Sequence, residues 1–219
     1  MKTQDDTEYF IKLAREWVAA SAGIPPSLLP SRFENFKTPT EEHQRVLETV
    51  QNFSSNLRSH RRSLVLFGVP GSGKTHLAVS VMWDNAVIHP IYVNSVKMLA
   101  DIRASWDRKY SDQPTEAELL ARVLNANLLV MDDVGCGHDP NSFERRTLER
   151  ILCERYDYRR PTIIATNLMI DQLKHLIGER AADRLAETAD IVITPGASWR
   201  RQAQAQNSAA MLLTQISAG

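Results

Sequence analysis

Ser63-Leu64-Val65-Leu66-Phe67 runs straight into Gly68-Val69-Pro70-Gly71-Ser72-Gly73-Lys74-Thr75-His76, and this junction decides the fold. A short apolar run ends in a glycine-rich turn, and an amphipathic stretch, HLAVSV, follows at once. Gly68, Gly73, Lys74 and Thr75 satisfy the spacing GxxxxGK[ST] in its required strand-to-helix setting. Glycines let the chain curl so that successive N–H groups point inward at phosphate oxygens. The helix behind them adds its positive N-terminal end. Lys74 supplies a point charge for the β- and γ-phosphates, and the Thr75 hydroxyl is a ligand for Mg²⁺. Residues 68–76 are therefore expected to cradle ATP with Mg²⁺.

Four more short apolar runs suit buried strands: Ile91–Asn94, Leu128–Asp132, Thr162–Thr166 and Asp190–Thr194. Helical segments separate them, so the order β-α-β-α predicts a five-stranded parallel sheet wrapped by helices. Upstream, residues 5–20 read as a helix with Phe10, Leu13, Ala14, Trp17 and Val18 at helical spacing. That stripe could dock in a groove on a partner or pack on its own domain. Gly23, with four prolines from Pro25 to Pro39, reads as an extended connector over residues 23–39. A second helix runs from about Thr40, a cap residue followed by Glu41 and Glu42. The domain proper is expected over residues 40–200, with a helical tail over 201–219.

Hydrolysis on such a loop needs a carboxylate at the end of a neighbouring strand. Leu128-Leu129-Val130-Met131 followed by Asp132-Asp133 supplies one. Asp132 is expected to face the metal, and Asp133 to orient or deprotonate the attacking water. Asp133 is one methylene shorter than the glutamate often found there, which predicts slow turnover. TIIATN places Asn167 at a strand end, where it would bond the γ-phosphate or the water, or merely cap a turn.

The bulk properties exclude other classes. The 26 basic and 26 acidic side chains cancel, which argues against non-specific attraction to nucleic acid over the whole surface. The two cysteines, Cys136 and Cys153, have no metal-binding spacing and read as reduced thiols. The acidic, polar start MKTQDDTEYF is unlike a signal peptide, and no apolar run approaches the ~20 residues of a membrane helix. A cytoplasmic protein is expected.

With GIPPSLLPSRFENF, GVPGSGKTHLA, LLVMDDVG, RRPTIIATN, GERAADRL and ITPGASWR in this order, the chain resembles the DnaC and IstB family of AAA+ ATPases, DnaC-type helicase loaders in particular. The resemblance covers roughly Gly23 to Arg200. It implies an α/β P-loop fold of AAA+ type and an ATPase that assembles with copies of itself. The GERxxDR arginine, Arg184, would be the finger that reaches the ATP of an adjacent subunit, with Arg180 one turn earlier as substitute. Pairing of Arg184 with Glu179 or Glu187 is the plainer alternative. Asn167 would be sensor 1 and Arg200 sensor 2, with Arg201 beside it.

The resemblance also implies a helical insertion between the second strand and the acid pair that contacts single-stranded DNA. Trp106, flanked by Arg103, Arg108 and Lys109, falls on an aromatic position of that kind, and Phe143 on a second. Aromatics at helical spacing are otherwise core residues. The arginines of residues 142–160, interleaved with Glu144, Glu149 and Glu154, read as a solvated, self-paired helix face. The implied partners are a hexameric DnaB-type replicative helicase and single-stranded DNA, without a membrane. An IstB-type transposition helper acting on duplex DNA shares the same ATPase core.

Overall fold

Every residue of β1 (Ser63–Phe67) and β4 (Thr162–Thr166) is buried, which makes these two strands the centre of the sheet. The computed structural model describes residues 4–107, 110, 112–136 and 142–196. Around that centre stand β2 (Ile91–Asn94), β3 (Leu129–Val134) and β5 (Ala189–Ile193), in the order β2-β3-β4-β1-β5, all parallel. The third strand starts one residue later than its apolar run suggests and extends past it, taking in both acids and Val134.

Period-2 alternation sends strand side chains to opposite faces, and each face needs cover. Leu64, Leu66, Val130 and Ile163 meet α2 (Glu41–His60) and α3 (Lys74–Asp84) on one face. Val65, Phe67, Met131 and Ile164 face the other, covered by α4 (Ser95–Ala104), α5 (Glu116–Asn125), α6 (Ser142–Asp157), α7 (Ile170–Ile177) and α8 (Glu179–Thr188). Each fully buried leucine here contributes about 1.5–3 kcal/mol. Among the described residues no helix is long and apolar enough to cross a membrane.

The first helix, α1 (Gln4–Ser21), divides its stripe. Ala14 and Val18 are buried in the core, and the Trp17 ring meets His89 edge-on at 4.7 Å. Phe10 and Leu13 are 51% and 42% exposed, so the expected stripe packs only at its C-terminal end. The proline-rich connector is likewise partly folded. It forms 3-10 turns at Pro26–Leu28 and Phe33–Asn35 and buries Ile24, Phe33 and Phe36 in the core shared with α3.

Arg155 corrects the reading of α6 as a solvated arginine face. Arg150 does pair with Glu154 at 2.7 Å. Arg155, one residue beyond Glu154, is only 1% exposed and turns inward. Its guanidinium donates to Thr162 Oγ1 and to the carbonyls of Val123, Leu124, Ala126 and Pro161. Burial lowers its proton affinity and the nearby Arg160 charge lowers it further, while a ring of carbonyl acceptors favours the charged form.

Candidate functional site

The phosphate loop, the acid pair and Asn167 follow the C-terminal ends of β1, β3 and β4, on one side of the sheet; the expected arginines do not join them. Because β4 lies between β1 and β3, its tip is flanked by the phosphate loop and by the acid pair. α3 begins at Lys74, so its unpaired N–H groups open onto the loop. Gly73 has φ 97°, and a Cβ there would lie 2.6 Å from the Phe36 ring. Gly68 is confined in the same way by Thr194. Glycine is therefore required at both loop ends for shape as well as for flexibility.

Lys74 is almost wholly buried, and its ammonium is compensated on several sides. It donates to the carbonyls of Gly68 at 2.8 Å and Val69 at 3.0 Å, and to Oδ1 of Asn167 at 2.6 Å. The expected sensor thus shares a site with the loop cation. The Thr75 hydroxyl donates to Oδ1 of Asp132 at 2.9 Å, which brings the two expected metal ligands together. Ser72 and Thr194 hydroxyls lie 2.6 Å apart, and Thr194 donates to the Phe67 carbonyl, fastening the loop to the exit of β5. The His76 ring turns the other way, to the Arg32 carbonyl at 2.8 Å and the Phe36 ring.

The two acids occupy different environments. Asp132 is buried and accepts a second hydrogen bond from the Tyr92 hydroxyl at 2.7 Å. Burial pushes its carboxyl above the usual carboxylate range; the charge of Asp133 adds to this, while the Tyr92 and Thr75 hydroxyls oppose it. Burial and Asp132 together push the Tyr92 phenol up as well. Asp133 lies where the β3–β4 register shifts, between Met131 and Val134, and adopts φ 54°. That left-handed turn releases its side chain from the ladder. Oδ2 accepts from Asn94 Nδ2 at 3.0 Å, and Oδ1 accepts from the Cys136 thiol at 3.7 Å.

Sequence reading missed Tyr92, Asn94, Cys136 and Thr194. The available signal for the second was a strand ending in a polar residue: register sets Asn94 opposite Asp132.

Arg184 is held by α6 rather than by Glu179 or Glu187 of its own helix. It donates to the Cys153 carbonyl at 2.7 Å, pairs with Asp157 at 3.1 Å and covers the Tyr156 ring at 4.7 Å. Glu187 instead accepts from the Tyr156 hydroxyl at 2.6 Å. These contacts lie at the C-terminal part of α6, far from the phosphate-loop edge. Arg180, about 6 Å earlier along α8, is exposed. Arg200 lies outside the described residues, as does Lys109.

The other expected DNA contacts come together. Trp106, on a 3-10 turn after α4, meets Phe143 of α6 edge-on at 4.9 Å, and the Arg103 guanidinium stands 5.2 Å from the Phe143 ring. Phe143 packs partly against the core, but Trp106 is 56% exposed, with its indole N–H donating to Glu116 at 2.8 Å. Trp106 is thus not a core residue.

A family profile described as IstB-like ATP binding protein matches residues 29–207. The replicative helicase loader DnaC of Escherichia coli K12 is 27% identical over 165 residues, 75% of this chain and 66% of that protein. DnaC of Buchnera aphidicola (strain Bp) is 26% identical over 171 residues, 77% of this chain and 68% of that one. The chain thus spans about two thirds of the length of these relatives. The crystal structure of the DnaC helicase loader has a TM-score of 0.67 at 22% identity, covering 78% of this chain and 100% of that one. AMPPCP-bound DnaA from Aquifex aeolicus gives 0.64 at 19%, covering 81% and 53%. These likenesses establish the AAA+ α/β fold.

Proposed function

Because this chain belongs to the IstB-like ATP-binding protein family, we propose that it is an ATP-driven loader of a hexameric replicative helicase, cytoplasmic and active as an assembly of subunits. The observation that carries the loader reading is Trp106, exposed in the insertion between β2 and β3 and set on Phe143 of α6 beside Arg103. An aromatic face with a neighbouring cation suits bases and phosphates of a single strand, at about 1–3 kcal/mol per stacked base.

The residues at the sheet edge fit a magnesium nucleotide. Thr75 and Asp132 present a hydroxyl and a carboxylate 2.9 Å apart, the hard oxygen donors that Mg²⁺ prefers. Mg²⁺ would supply charge neutralisation on the β- and γ-phosphates. The loop N–H groups and Lys74 hold the triphosphate, and Asn167 orients its terminal group. Asp133, steadied by Asn94, directs the attacking water and takes its proton, giving ADP and phosphate. An arginine of α8 from a neighbouring subunit, Arg184 or the exposed Arg180, completes the site and ties hydrolysis to assembly.

The test is fluorescence anisotropy with single-stranded and duplex DNA of equal length at fixed salt, with and without ATP and Mg²⁺, using Lys74→Ala as control. Tighter single-strand binding that needs ATP and Trp106 supports the loader. Preference for duplex would replace it with a transposition helper of the IstB type, and binding to neither would refute a DNA role.

A further inference from the structure

We propose that Cys136 is a positioning residue of the hydrolytic site, the link through which Asn167 and Asp133 hold each other in place. The proposal rests on reading that site as an ATPase. Asn167 closes β4 and Asp133 projects from β3, so the two groups expected to act on the water come from different strands. The Cys136 sulfur accepts from Asn167 Nδ2 at 3.1 Å, and its S–H donates to Asp133 Oδ1 at 3.7 Å.

The direction of both bonds is forced. Oδ1 of Asn167 already accepts from Lys74, so its amide nitrogen faces the sulfur. An ionised carboxylate only accepts, so the thiol must donate to Asp133. One sulfur thus takes one hydrogen bond and gives another. An alanine or valine side chain could do neither. A serine could do both, over a shorter reach.

The thiol is also fixed in place. Cys136 N–H donates to the Asp133 carbonyl at 3.1 Å, closing the turn through Gly135, and Ser95 donates to the same carbonyl at 2.9 Å. The result is a continuous path, Lys74–Asn167–Cys136–Asp133–Asn94, from the phosphate loop to the far side of the acid pair. Removing the thiol leaves the Asn167 amide without its acceptor and the carboxylate held from one side only. That loss falls on alignment of the attacking water, which governs the chemical step, and spares the contacts that bind ATP.

The experiment measures steady-state ATPase and nucleotide affinity for the native chain, Cys136→Ala, Cys136→Ser, Asp133→Ala, Asn167→Ala and the Cys136→Ala/Asn167→Ala double variant. Cys136→Ala is expected to lower kcat about tenfold with KM and nucleotide affinity unchanged. Cys136→Ser is expected to recover most of that loss, and the double variant to lose less than the two single losses multiplied together. Native kcat in Cys136→Ala, no recovery with serine, or additive losses in the double variant would overturn the link, provided Asp133→Ala and Asn167→Ala are impaired. If those two turn over as the native chain does, the ATPase reading of these residues falls, and the link falls with it.

Discussion

Nζ of Lys74 donates to Oδ1 of Asn167 at 2.6 Å, so the cation of the phosphate loop and the amide at the tip of β4 converge on one point. The loop supplies binding through many N–H groups, whereas Asn167 supplies a single oriented dipole. Asn167→Ala should therefore keep ATP affinity within a few-fold and lose kcat by about 10²-fold. Calorimetric titration and single-turnover hydrolysis separate the two. Full turnover would leave Asn167 only its place in the strand-end turn.

Asp132 predicts an unusual stability profile in the absence of nucleotide and metal. Burial raises its carboxyl pKa in the folded chain above the unfolded value, so the folded chain binds that proton more tightly. Stability is then lost as pH rises from the ordinary carboxylate pKa of about 4 through the raised value. Asp132→Asn should melt with the native chain in acid and above it at neutral pH, while losing Mg²⁺-dependent nucleotide binding. Melting curves across pH check this, and a lower melting temperature for the variant at neutral pH would contradict it.

Arg184 and Arg180 should separate structure from assembly. Arg184→Ala loses a hydrogen bond to the Cys153 carbonyl and an ion pair with the exposed Asp157, and should lower the melting temperature slightly. Arg180→Ala should leave the melting temperature alone and abolish the rise of ATPase rate per subunit with protein concentration. If instead Arg184→Ala alone flattens that concentration dependence, its guanidinium must leave Asp157 on assembly.

Arg155→Met should be the most damaging of these changes to the fold. It strips the cation from a ring of buried carbonyls, which leaves acceptors without donors and costs about 3 kcal/mol or more. Urea unfolding at low temperature gives the number, and ATP affinity should survive wherever the chain remains folded.

That Thr75 and Asp132 stand together was legible because the expected chemistry places each residue type shortly after a recognisable apolar run. The strands themselves were legible for a related reason: parallel sheets bury both faces, so their runs are apolar and bounded. Tyr92, Asn94, Cys136 and Thr194 were not, since what places them is the order and register of strands far apart in the chain. The period of α6 could not reveal that Arg155 points inward, because a helix of alternating charges looks the same whether or not one cation finds carbonyls. Nor did the stripe of α1 show where cover ends, because Val18 and Phe10 are equally apolar and only the packing partner differs.

The Phe36 ring lies against Gly73 and beside His76, with Phe33 and Ile24 anchored in the same core. The stretch that looks most expendable in the sequence is thus the roof of the phosphate site. Trimming the chain to a tidy start at Thr40 would leave α3 with an uncovered flank at its first turn. The same core cluster holds Val18 and Ala22 of the chain just upstream, so α1 and this roof share one packing surface. Through Phe36 the proline-rich stretch thus closes the space over the glycine beside Lys74, where any larger residue would meet the ring.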